Sequence, residues 1–492
     1  MKIFEVLVLL ISLFLILRTR FGKSMTRSTM ISMTLLTVIS VALHLTINGY
    51  RWQMIPAYAL TLFGIFRMLR QGGRAGLSFV RTKQRPVKRA ILSSLLAVFI
   101  IIAIALPTLL PVFGFDQPTG PHAVGTVEYA MVDPNRKETY TDDPNDQREV
   151  LVQIWYPADI AKPLPDKAPY VKNVPVIAAE VKTKLQIPKF LFQYLELVKT
   201  NSYPNAAVAS QQQSYPLILF SHGLPGARFS NTFQFEELAS QGFIVASIEH
   251  TYNALATVLP DGKFVTIASL PGMTDIDAWD GLISDIWVQD STFVLDELEK
   301  LNDKDSNNLF SGKIDMNHVG MFGHSFGGAN AAQVLYTDPR VKAAINMDGT
   351  MFGNTHKAEG TGKPFMLMDT KPFVMETDPV VPTDSQLQEM SMTRKQFDRM
   401  SVQLPMRMKH ALGSGAYELT LQRTRHMSFS DYYFWSPALP IMEKMPLSPR
   451  RAHKVINAYT VAFFQKHLQG LDTPLLDAEQ STDFPEAALK RY

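Results

Sequence analysis

Apolar residues are distributed along this chain in two regimes. Over roughly the first 115 positions they form long uninterrupted runs, at about residues 3–17, 30–47, 52–69 and 90–114. A membrane-spanning helix needs about 20 apolar residues, so the last run is long enough, the middle two are adequate and the first is short. Further along, the apolar runs are brief and alternate with stretches of helical spacing. That alternation predicts a mostly parallel sheet covered on both faces. Strands are predicted at Glu149–Tyr156, Pro216–Ser221, Phe243–Ile248, the run entering Ser325, Val341–Met347 and Pro364–Met368. Helices are predicted at Ser230–Gln241, Trp287–Leu301 and Pro449–Leu468.

These patterns divide the chain into an N-terminal membrane region (1–114), a linker with an edge strand (115–148) and an α/β domain (149–492). The linker is read from Pro118, Pro121, Pro134 and Pro144 among many Asp, Asn and Thr residues. One segment, about 168–205, fits the strand–helix rhythm poorly. With Phe190, Leu191, Phe192, Leu195 and Leu197 among lysines, it reads as an amphipathic excursion that touches lipid or caps a site, or as a surface helix on the sheet.

Charge adds a direction. The net formal charge is only +3, and the basic excess is concentrated in two loops. Arg18, Arg20, Lys23 and Arg27 follow the first run, and Arg67, Arg70, Arg74, Arg81, Lys83, Arg85, Lys88 and Arg89 follow the third, whereas the opposite loop offers only Arg51. Basic loops stay in the cytoplasm, so the expectation is a multi-pass membrane protein whose α/β domain is extracytoplasmic. Such a distribution reports topology and gives no support for nucleic-acid binding. Leu17 is followed by Arg18-Thr19-Arg20 and not by a small-x-small cleavage site, so the first run reads as retained. No Asp or Glu lies in the later three runs and His44 is the one histidine there, which favours anchoring over ion transport.

The chain has no cysteine, which removes disulfides, thiolate metal sites and cysteine nucleophiles together. The fragment Gly360-Thr361-Gly362-Lys363-Pro364 fails as a phosphate-binding loop, because the first glycine is missing and Pro364 stands where Ser or Thr is needed. No cofactor or metal is expected.

The chemistry is carried by Gly323-His324-Ser325-Phe326-Gly327, a G-x-S-x-G sequence between a predicted strand and a helix-compatible stretch. A serine used as nucleophile must be exposed on a sharp turn beside a base, and the flanking glycines give that turn room. A tight turn with a structural serine would use the same glycines. Downstream, His426 follows the strand-like Tyr417–Leu421 on a polar loop and is preferred as base over His410. His453 and His467 fall in the predicted C-terminal helix. Asp348 and Asp369 each end a strand, where catalytic groups gather in such sheets, and sequence position leaves the choice of acid open. Oxyanion donors are expected from the backbone of Phe326 and, in Ser221-His222-Gly223-Leu224-Pro225-Gly226, from Leu224. His250, just past a predicted strand, reads as a buried supporting histidine.

Ser221-His222-Gly223-Leu224, the run from Gly242 to His250, and Gly323-His324-Ser325-Phe326-Gly327-Gly328, in this order, resemble the secreted platelet-activating factor acetylhydrolases, or group VII phospholipases A2. The resemblance covers about residues 149–468. It implies an α/β-hydrolase fold, no metal, hydrolysis of short or oxidised sn-2 acyl chains of phospholipids, and the set Ser325, Asp348, His426, Leu224 and Phe326. The chain departs from it in the membrane runs and in Thr251-Tyr252-Asn253. Alternatives are a general carboxylesterase, a polyester hydrolase, or a non-catalytic membrane sensor on a hydrolase-like domain.

Overall fold

A computed structural model describes residues 2–21, 25–72, 86–186, 188–272, 275–373, 381–389, 392–413 and 415–492. The chain divides into two compact units. The first contains Met1–Gly114 together with Val181–Val198 and Phe434–Ile441. Its helices are α1 (Ile3–Phe21), α2 (Arg27–Leu43, continued by a π-helical stretch His44–Asn48), α3 (Ile55–Gly72) and α4 (Pro86–Leu109).

Among the described residues, two helical stretches are long and apolar enough to cross a membrane. They are Arg27–Asn48 and Ala90–Leu109, with mean hydropathies of 2.0 and 2.7. The four expected spans are therefore reduced to two by this criterion: α1 carries Glu5, Arg18 and Arg20, and α3 carries Arg67 and Arg70. The basic positions Lys23, Arg74, Arg81, Lys83 and Arg85 lie outside the described residues.

Within this unit Glu5 and Arg51 form a fully buried ion pair, N to O 2.5 Å, and Arg51 also donates to the Leu110 carbonyl at 2.6 Å. His44 is buried and shares a 2.7 Å hydrogen bond with the Tyr58 hydroxyl, a packing role. The excursion is resolved as well. The Trp52 indole N–H donates to the Phe190 carbonyl at 2.8 Å and the two rings meet edge to face at 4.7 Å, so residues 181–198 pack on the helices and not on the sheet.

The second unit is built on an eleven-stranded sheet. Its nine longer strands are β1 (Ala123–Lys137), β2 (Gln147–Asp159), β3 (Tyr215–Ser221), β4 (Ile244–Glu249), β5 (Ile314–His324), β6 (Val341–Met347), β7 (Phe365–Asp369), β8 (Tyr417–Leu421) and β9 (Ala487–Arg491). They lie in the order β9-β8-β7-β6-β5-β3-β4-β2-β1. Strands β3 to β8 run parallel, whereas β1 against β2, β2 against β4 and β8 against β9 are antiparallel. Long crossovers join the parallel strands, and the helices in them cover both faces, as parallel pairing requires. These include α5 (Thr232–Ser240), α6 (Val288–Asp303) and α7 (Phe326–Thr337), with α8 (Pro449–Gln469) before β9.

Because both faces are covered, β3 and β4 are buried at every position and read as unbroken apolar runs. Phe220 on β3 contacts Phe322 on β5 and Phe235 on α5, with ring centroids 4.7 and 4.8 Å apart. This aromatic packing holds rigid the two central strands whose carboxyl ends carry the site. The architecture is that of an α/β hydrolase.

Candidate active site

Ser325 sits between β5 and α7 with φ 57° and ψ −121°, a conformation that L-residues avoid and that a sharp strand-to-helix turn imposes. Neighbouring backbone explains why glycine surrounds it. A Cβ on Gly323 would lie 2.1 Å from the Gly327 carbonyl oxygen, and one on Gly327 would lie 2.0 Å from the Ser221 carbonyl oxygen. Any side chain would thus prise the turn away from β3. The Ser325 N–H donates to the Met347 carbonyl at 2.8 Å, which fixes the turn to β6.

The first N–H groups of α7 have no partner inside the helix and point back toward the turn. Phe326 supplies the first of them. On the other side Gly223 approaches closely: a Cβ there would stand 3.2 Å from the Ser325 Cβ. Leu224 follows in the same loop and joins the apolar cluster of Phe326, Trp287, Trp279 and Phe352. Phe326 is thus adjacent to Ser325 in the chain, and Leu224 follows the glycine that approaches it.

β6 and β7 are in parallel register with Met347 opposite Met368, so the next residues, Asp348 and Asp369, stand side by side. The Asp348 N–H donates to the Met368 carbonyl at 2.7 Å. His426, at the start of a short 3-10 turn beyond β8, donates from Nδ1 to Asp348 Oδ2 at 2.6 Å. Burial works to raise the Asp348 pKa, but hydrogen bonds from His426 and Asp369 outweigh it and hold this carboxyl below its usual range. Asp369 goes the other way: burial, together with the hydrogen bond to Asp348 and its charge, pushes it up to about 7. Below about pH 7 the proton of the pair resides on Asp369, and Asp348 is the carboxylate.

His426 lies against residue 324, with its ring 4.6 Å from that of His324 and its carbonyl bonded to His324 Nε2 at 3.0 Å. Burial and the neighbouring His426 push His324 down to about 3, so it stays neutral and donates from Nε2. Among the described residues Ser325 Oγ makes no hydrogen bond to His426, a looseness common before substrate binds. His410 lies in Leu404–Ala411, away from these groups. His453 is buried in α8, stacked on Phe233 at 3.6 Å. Lys363 of the false phosphate motif donates to the carbonyls of Leu335, Asp338 and Val341, closing the C-terminal end of α7. Among the described residues there is no cluster of three His, Asp or Glu that could hold a metal ion.

Sequence reasoning missed Asp290 and Asn330. His250, read as a buried supporting histidine, bonds Asp290 Oδ2 through Nδ1 and Ser221 Oγ through Nε2, each at 2.9 Å. Asn330 Nδ2 reaches the same Ser221 Oγ at 3.1 Å. An acid, a histidine and a serine at separations of 40 and 29 residues leave no local pattern to find.

Comparisons with known proteins bear on the fold and the family. The platelet-activating factor acetylhydrolase of Gallus gallus is 23% identical over 317 residues, which cover 56% of this chain and 68% of the relative. A probable 1-alkyl-2-acetylglycerophosphocholine esterase of Arthroderma benhamiae is 24% identical over 287 residues, 55% of this chain and 65% of the relative. The matched stretches thus span about two thirds of each relative. Among solved structures, a ferulic acid esterase from Streptomyces cinnamoneus superposes with a TM-score of 0.60 at 27% identity, over 77% of this chain and 100% of that one. The family described as platelet-activating factor acetylhydrolase, isoform II, matches residues 111–262 and 294–483. With more than half of its length matched, the chain belongs to that family and is a carboxylic ester hydrolase.

Proposed function

We propose that the protein hydrolyses short-acyl or oxidised phospholipid esters of the platelet-activating-factor type through an acyl-enzyme on Ser325. His426 is the base, Asp348 its acid, and the N–H groups of Leu224 and Phe326 form the oxyanion hole. The observation that carries this reading is the 2.6 Å bond from His426 Nδ1 to Asp348, beside a serine held at φ 57° on a strand-to-helix turn.

Donation from Nδ1 leaves the Nε2 lone pair of His426 free for the Ser325 proton. As Oγ bonds to the ester carbonyl carbon, that proton passes to Nε2 and the carbonyl electrons move to oxygen, where the two N–H groups meet the charge. Collapse expels the alcohol, which takes the proton from Nε2. Water, activated by the same nitrogen, then attacks the acyl-enzyme and releases the carboxylate. Asp348 stays ionised throughout, because the hydrogen bond from His426 holds its carboxyl below the usual range.

In this reading the helical unit anchors the enzyme in the cell membrane through α2 and α4. Lipid ester is the substrate, with no nucleic-acid partner. A second reading, a soluble aryl ester, is favoured by the ferulic acid esterase likeness and by the aromatic wall of Trp279, Phe326 and Phe352, where Trp279 and Phe352 stack at 5.9 Å.

The test is Ser325→Ala in the full chain solubilised in detergent, assayed beside the wild type on p-nitrophenyl esters, on feruloyl esters and on phosphatidylcholines of graded sn-2 length. Loss of turnover on all of them, with the wild type fastest on acetyl phospholipid, supports the proposal. Retained turnover in the variant overturns it, and a wild type fastest on feruloyl esters transfers the case to the second reading.

A further inference from the structure

Directly beneath the oxyanion loop lies a second serine–histidine–aspartate chain that is closed to solvent. Ser221, His250, Asp290 and Asn330 are each 0% exposed, so no ester can reach this serine. Its elements identify its use. Ser221 ends β3 and stands three positions before Leu224; Asn330 lies on α7, one helical turn after Phe326; His250 follows β4; and Asp290 is on α6.

The direction of every proton in this chain is fixed. Asp290 is pressed from two sides by cations, with Arg148 donating to both of its oxygens at 2.6 and 3.0 Å and Arg136 adding a bond of 2.9 Å. Burial opposes its ionisation, but Arg148 and His250 prevail and hold it well below the usual carboxylate range. A carboxylate only accepts, so His250 donates to it from Nδ1, and burial keeps the ring neutral. Nε2 is then an acceptor, and the Ser221 hydroxyl must donate to it. That leaves the oxygen of Ser221 to accept from the Asn330 amide, whose other N–H goes to Ser291 Oγ at 2.9 Å. The Ser291 hydroxyl in turn donates to the Trp287 carbonyl at 2.8 Å. The His250 ring stacks on Trp287 at 3.9 Å, and the His250 N–H donates to His222 Nε2 at 3.2 Å, so the chain also grips the residue after Ser221.

We infer that Ser221, His250, Asp290 and Asn330 are positioning residues that set the spacing between the two oxyanion N–H groups, by tying the loop bearing Leu224 to the helix bearing Phe326. This inference rests on the proposed reaction at Ser325. An oxyanion hole works only when its donors are aligned on the atom where charge develops, and here each donor belongs to a different element. The backbone contact between those elements is already at its limit, since a single Cβ on Gly327 would meet the Ser221 carbonyl oxygen at 2.0 Å. Ser221 thus faces α7 twice, with its carbonyl against Gly327 and its hydroxyl against Asn330.

The test uses Ser221→Ala and Asn330→Ala in the full detergent-solubilised chain, with kcat and KM on p-nitrophenyl acetate and the affinity of a trifluoromethyl ketone, which forms a tetrahedral adduct on serine. Losing one oxyanion donor outright costs about 10²–10³ in kcat, so slackening one is expected to lower kcat by about tenfold while KM stays within about twofold. Ketone affinity should fall by the same factor as kcat. If one variant does not fold, the other carries the same expectation. A lower melting temperature with wild-type kcat and ketone affinity in the folded variant overturns the inference. Ser325→Ala measured alongside separates the two claims: activity in that variant refutes the reaction, whereas a dead Ser325→Ala with an unimpaired Ser221→Ala refutes only the positioning role.

Discussion

Replacing Asp369 by Asn should remove a pH dependence from the stability of the α/β unit while leaving the catalytic proton path intact. In the fold Asp369 releases its proton near 7, against 3.8 for an unperturbed aspartate. The folded state therefore holds a proton that the unfolded chain has already lost between those values. A group shifted in this direction stabilises fully below about pH 4, and its contribution fades as pH rises through about 7. At ~1.4 kcal/mol per tenfold, the ceiling on that contribution is ~4 kcal/mol. Asp369 is only partly buried, and solvent screening reduces the expected loss to about 2 kcal/mol. The asparagine in the variant still offers an N–H to Asp348 but cannot ionise. Urea unfolding of wild type and variant at pH 5.5 and 8.5 measures the difference: this interval takes in about half of the window between 3.8 and about 7, so the wild type should lose about 1 kcal/mol more than the variant on going to the higher pH. Asp348→Asn is the contrast, because it replaces the carboxylate facing His426 Nδ1 by a neutral amide that can turn an N–H to the ring and favour the wrong tautomer; it should cost about 10²–10⁴ in kcat, whereas Asp369→Asn should stay within about tenfold of wild type at pH 6. Equal pH slopes in wild type and Asp369→Asn, or equal kcat losses in the two variants, would refute the division of labour between these acids.

Two other substitutions probe the frame around the site. Gly327→Ala forces a Cβ to 2.0 Å from the Ser221 carbonyl oxygen; it should lower stability by about 3 kcal/mol or more and abolish activity, read by thermal melting and p-nitrophenyl acetate turnover, and a wild-type melting curve would contradict the close approach. Lys363→Met strands the carbonyls of Leu335, Asp338 and Val341 at the end of α7; it should cost about 2 kcal/mol in urea unfolding with kcat unchanged, and a loss of activity at full stability would contradict a purely structural lysine.

How much of this could be read from the sequence depends on range. The strand–turn–helix around Ser325 is local, and its glycines announce it. The buried strands β3, β4, β6 and β7 are equally local, because continuous apolar runs suffice. Neighbourhood across the sheet is not local. Asp348 and Asp369 looked like rival acids because each ends a strand, and only the parallel register of β6 and β7 makes them partners that share a proton. The Ser221–His250–Asp290–Asn330 chain joins four elements through side chains of ordinary types, with no spacing to mark it. The segment 181–198 had the right composition for a lipid-facing excursion, but its grouping with the N-terminal helices depends on contacts such as Trp52 with Phe190. Two of the four apolar runs were over-read as spans, since α1 carries three charged residues, Glu5, Arg18 and Arg20, and Arg67 and Arg70 with the polar end of α3 lower its hydropathy.

The central claim is that Ser325 is the nucleophile. It is tested most directly by treating the folded, active, detergent-solubilised protein with a fluorophosphonate and mapping the adduct by peptide mass spectrometry. The account predicts one phosphonyl group on Ser325, formed in step with the loss of turnover and absent from Ser325→Ala. An active protein that loses turnover with the label on another residue, or that stays unlabelled at Ser325, would contradict it.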